Sequence, residues 1–81
     1  MAHQLRNVAV RDLIAALLAD GFTMERSTRT GGRVYRSERE RRTVLVHYHH
    51  GGDTLPLGTL RSIIEGARWT FDDARRLRLV E

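Results

Sequence analysis

Apolar side chains recur at Val10, Leu13, Ile14, Leu17 and Leu18, a spacing of three and four residues that draws one stripe along a helix. Asn7 is the expected N-cap. Gly21 is the expected stop, because glycine readily takes the left-handed backbone that ends a helix. This first helix is predicted over about residues 8–20. From Phe22 to Thr28 the pattern changes to that of a strand, with Phe22 and Met24 on one face. Thr30-Gly31-Gly32 reads as a turn, Arg33 to Ser37 as a second short strand, and Glu38 to Arg42 as a charged connection. Thr43 to His49 is β-branched and aromatic, hence a third strand. Its period of two sets Val44, Val46 and Tyr48 on one face and Leu45, His47 and His49 on the other.

After the loop His50-Gly51-Gly52-Asp53-Thr54, the single proline, Pro56, marks where a helix begins. Leu60, Ile63, Ile64 and Ala67 give that helix its apolar stripe, over about 57–67, and Gly66 weakens its last turn. Thr70 and Asp73 have the spacing of a capping box, so a short helix is expected over about 71–79, with Phe71, Ala74, Leu77 and Leu79 available for docking. The strands are close in sequence, so they are expected to form an antiparallel meander. The predicted class is α+β, in the order α-β-β-β-α with a tail helix. Two helices would cover one face of the sheet and leave the other open.

Composition agrees with a globular chain. Of 81 residues, 41% are hydrophobic and 30% charged. One domain over residues 1–81 is expected. With no cysteine, neither a disulfide nor a thiolate nucleophile is available. No apolar run approaches the roughly 18–20 residues of a membrane span, and no secretory signal is visible at Met1-Ala2-His3-Gln4-Leu5-Arg6. A cytoplasmic protein without membrane association is the expectation.

Charge sharpens the picture. The net charge is +4, and all fourteen basic residues are arginine. Between Arg26 and His49 seven arginines face only Glu38 and Glu40, a local balance of +5, whereas the rest of the chain is at −1. Such a concentration is the footprint of a nucleic-acid-binding surface. The alternative is a solvated hairpin with arginines at its edges.

The run Leu55-Pro56-Leu57-Gly58-Thr59-Leu60-Arg61-Ser62-Ile63-Ile64 resembles the Leu-Pro-x-Gly-Thr-Leu-x-Ser-Ile-Leu signature of HicA toxins, small mRNA interferases of bacterial toxin–antitoxin pairs. Val46-His47-Tyr48-His49-His50-Gly51 is similar to the family's Val-Pro-x-His-x-Gly segment, with His49 on the family histidine and His47 in place of the proline. Asp20-Gly21-Phe22 fits the family's entry into the first strand. The resemblance covers about residues 10–70. It implies a double-stranded-RNA-binding-domain-like fold, cleavage of mRNA without the ribosome, and a HicB antitoxin that covers the active site.

One departure concerns the chemistry. The family's catalytic histidine lies in a Gly-Ser-His-x-x-Tyr motif. Anchoring on Tyr35 puts Gly32 at its position; alternatively Gly31-Gly32 is the small pair and the histidine is deleted. RNA supplies its own nucleophile, the 2′-hydroxyl, so cleavage needs a base, an acid and positive charge at the phosphate. His49 is the candidate to stand in for the missing imidazole, and His47 shares its face. Arg29, Arg33, Arg36 and Arg42, around the turn and strands, and Arg61 in the signature helix are the candidate RNA contacts. His47-x-His49-His50 also has a spacing seen in metal ligands, but beyond nearby Asp53 no further ligand is placed, and neither a metal nor another cofactor is expected. Trp69 and Phe71 could meet the antitoxin, with core packing the competing role for Trp69. A ribonuclease and an inactive module that binds RNA or antitoxin on the same fold are the two readings that follow.

Overall fold

The computed structural model describes residues 5–37, 41–47, 50 and 52–80. The elements run α1 (Val10–Ala19), β1 (Thr23–Ser27), β2 (Gly32–Ser37), β3 (Arg42–His47), α2 (Leu57–Ala67) and α3 (Phe71–Arg76). The strands form one antiparallel sheet in the order β1-β2-β3. The class is α+β, as the hydrophobic pattern predicts. Tyr48 and His49 at the predicted end of the third strand, and Glu38, Arg39 and Glu40 in the connection before it, lie outside the described residues.

Both helical stripes meet the same side of the sheet. Leu13 and Leu17 from α1, Tyr35, Val44 and Val46 from β2 and β3, and Leu60, Ile63 and Ala67 from α2 are buried in one cluster. Gly66 lets α2 approach closely. A Cβ there would stand 3.3 Å from Val44 Cγ1, tighter than most side chains tolerate. The cost of glycine in the last turn is therefore offset by contact between helix and strand.

Helix ends divide into those the sequence announces and those it does not. Gly21 takes φ +91° just after α1, as expected. The N-cap of α1 is Ala9 rather than Asn7. The cause is nonlocal: Ala9 bridges to Thr54, Val10 N–H donates to Asp53 O at 2.8 Å, and Leu55 N–H donates to Val8 O at 2.9 Å. The chain ahead of α1 is thus fixed by the loop before α2.

The tail helix docks on the domain. Ala74 and Leu79 join the common core, and Leu5 bridges to Val80. The Trp69 ring is buried edge-on against Phe22, at 6.2 Å between centroids and 78° between planes. Core packing is therefore the role of Trp69.

The Thr70 capping box forms in full. Asp73 N–H donates to Thr70 Oγ1 at 3.1 Å, and Thr70 N–H donates to Asp73 Oδ2 at 2.9 Å. The Thr70 backbone donor, helped by Arg76, holds the Asp73 carboxyl below its usual range. A carboxylate favoured by folding contributes stability at neutral pH and loses it as pH falls below about 4 and through its lower folded value. Asp73→Ala is expected to cost about 0.5–1 kcal/mol at pH 7. In thermal melts across pH, the gap from the parent should close in acid.

Candidate nucleic-acid interface

The face of the sheet away from the helices is built by register. β2 and β3 pair Gly32 with His47, Val34 with Leu45 and Arg36 with Thr43. These residues alternate with Tyr35, Val44 and Val46, which point to the core, so they share the opposite face. His47, Leu45, Thr43 and Arg36 are exposed there, with Leu45 47% accessible. The sequence-predicted split of the third strand holds for every described residue in it.

A β-bulge decides what β1 adds. Met24 pairs with Tyr35 and Arg26 with Val34, so Glu25 is an extra residue between them. Regular alternation would put Arg26 on the side of Met24. The bulge instead sets it beside Val34 on the open face. Arg26 is exposed and makes no hydrogen bond or ion pair among the described residues, leaving a cation beside the Val34–Leu45 pair. Sequence reasoning counted Arg26 in the basic segment but did not single it out, because only the cross-strand register reveals its side.

The five arginines proposed from sequence do not converge on one surface. Arg29 is exposed in the turn between β1 and β2. Arg33 is on the helix-side alternation, and its Nη1 donates to Ser27 Oγ at 2.9 Å. Arg36 is on the open face, in an ion pair with Glu25 at 3.4 Å with both side chains nearly half exposed. Such a pair is weak and exchangeable. Arg61 is exposed on α2, an element covering the opposite side of the sheet.

Arg42 requires a correction. It begins β3 on the core side and is only 9% exposed. Its guanidinium donates to the carbonyl of Ala67 at the end of α2, lies 5.6 Å from the centre of the Phe22 ring, and comes within 4.0 Å of Asp20 Oδ2. A cation at a helix C-terminus complements the helix dipole. Arg42 is thus a structural cation and drops out of the candidate surface.

Of the histidines, His47 is exposed on the open face across from Gly32, whereas His49 lies outside the described residues. His50 N–H donates to Asp53 Oδ2 at 3.1 Å, which turns Asp53 onto its own loop. Among the described residues no three of His, Cys, Asp and Glu come together as metal ligands would. Tyr35 is buried on the core side and so is not available to stack on a base.

The molecule is thus a small α+β domain with one sheet face covered by helices and the other presenting two guanidinium groups, an imidazole and hydroxyls. The family description "HicA toxin of bacterial toxin-antitoxin" matches residues 10–69, from α1 to the end of the segment after α2. The chain belongs to the HicA toxin family, and it is accordingly a toxin of a toxin–antitoxin pair. No curated protein matches it. Among the described residues no helix is long and apolar enough to cross a membrane.

Proposed function

We propose that this toxin is an mRNA interferase: it binds RNA on the open face of the sheet, cleaves it without the ribosome, and is silenced by a HicB-like antitoxin covering that face. Its place of action is then the cytoplasm, where mRNA is translated. The observation that carries the reading is the placement of Arg26, Arg36 and His47 together on the uncovered side of a HicA-family domain.

The chemistry suits those groups. A 2′-oxygen attacks the neighbouring phosphorus, the bond from phosphorus to the 5′-oxygen breaks, and a cyclic phosphate remains. Guanidinium groups fork onto the phosphate oxygens and stay charged at every physiological pH. An imidazole accepts a proton near neutrality. An acidic antitoxin surface would compete for the same arginines and block the face sterically.

The test is the purified, antitoxin-free chain on a transcript, in chelator and without ribosomes. Fragments ending in cyclic phosphate, with binding that weakens as salt rises, are expected. RNA left intact but bound would establish the inactive binding module instead. RNA neither bound nor cut would remove both readings.

A further inference from the structure

Gly32 is the only position of β2 without a side chain, and the space above it is occupied. A Cβ built there would stand 2.7 Å from Thr28 Oγ1, 2.9 Å from His47 Cε1 and 3.0 Å from Leu45 Cδ1. The imidazole of β3 therefore lies across the backbone of β2, over the residue it pairs with. The ring shares the space above Gly32 with the Thr28 hydroxyl and the Leu45 side chain, while His47 as a whole remains exposed on the open face. Thr28 Oγ1 is itself fixed, accepting from Gly32 N–H at 2.8 Å. The glycine's function here is to leave room for the ring.

Arg26 stands one pair of rows further along the same face. With strands about 4.8 Å apart and about 3.4 Å of rise per residue, its Cα is roughly 12 Å from that of His47. An extended arginine, a phosphodiester and an imidazole together span such a gap. Val34 and Leu45 lie between as an apolar floor, which limits hydration of a phosphate placed there and strengthens its attraction to the cation.

We infer that His47 is the catalytic base of this site, with Arg26 holding the scissile phosphate; the inference rests on the ribonuclease reading above. The neutral ring takes the proton of the 2′-hydroxyl as the O2′–P bond forms. The P–O5′ bond breaks with its electron pair on the 5′-oxygen, which is protonated by water. The imidazolium then returns its proton to solvent. The departing 5′-hydroxyl and the cyclic phosphate account for every atom.

The experiment compares the parent chain with His47→Ala, Gly32→Ala and His50→Ala on one transcript, measuring RNA binding, cleavage rate against pH, and folding by circular dichroism. His47→Ala should bind RNA as the parent does and cleave about 10²–10⁴-fold more slowly. Its pH profile should lack the parent's loss of rate on the acid side, where a base becomes protonated, and added imidazole should restore part of the rate. Gly32→Ala, which forces the ring aside without removing it, should lose cleavage while keeping the RNA bound. His50→Ala should cleave normally. Cleavage by His47→Ala at the parent's rate overturns the inference and leaves the ribonuclease reading intact. A parent chain that binds RNA without cutting it overturns both.

Discussion

Asp20→Ala should cost about 3–5 kcal/mol, more than any exposed substitution in the molecule. One carboxylate serves β3, α3 and the segment between α2 and α3. Its Oδ2 accepts from Trp69 Nε1 at 2.6 Å, its Oδ1 accepts from Arg76 at 2.9 Å, and Oδ2 lies 4.0 Å from the buried Arg42 guanidinium. Alanine would leave the indole donor without its acceptor and remove a carboxylate from beside an interior cation. Each is a recognised large penalty, because a half-buried polar group loses water without gaining a partner. In a domain of this size, where total stability is on the order of 5 kcal/mol, the variant should be substantially unfolded in a urea titration. Arg76→Ala is the informative contrast. It removes an exposed partner of the same carboxylate and should cost far less, because an exposed ion pair is screened by water. A loss for Asp20→Ala as small as that of Arg76→Ala would mean that neither the indole nor Arg42 depends on this carboxylate.

The second large effect is on binding. Arg26→Ala with Arg36→Ala should weaken RNA affinity roughly 100-fold at low salt, from about 1.4 kcal/mol per lost phosphate contact. The slope of log affinity against log salt should fall by about 0.7 for each arginine, as expected for a single strand releasing fewer counterions. Both side chains are exposed, so the fold should survive. Arg11→Ala, on the exposed side of α1 behind the sheet, is the control that separates a located surface from diffuse positive charge. Equal losses in the control and the double variant would mean that the open face has no privileged part.

Local periodicity carried most of the fold. The stripes of α1 and α2, the alternation of β3 and the Thr70 capping box are all set by neighbours within a turn or two. What the sequence hid depends on distant pairings. Asp20 reaches Trp69 and Arg76, which are 49 and 56 positions away, and no spacing rule links them. Arg42 counts as +1 in any charge tally, yet its role follows from where α2 ends. Ala9 rather than Asn7 caps α1 because the loop before α2 pairs with the entering chain. For the candidate site, the basic segment was visible, as was the sharing of a face by Leu45 and His47. The selection of Arg26 over its neighbours was not, since a bulge is a property of two strands together.

That bulge also bears on how the gene can vary. Losing a codon within a regular strand turns every following side chain over to the opposite face of the sheet. At position 25 the strand holds a spare residue, so deleting Glu25 in frame would leave Thr23 and Arg26 outward and Met24 and Ser27 inward. The deletion would also free Arg36 from its acidic neighbour. The edge of this sheet therefore contains a site where a change of length, ordinarily ruinous in β-structure, alters the charge of the open face and little else.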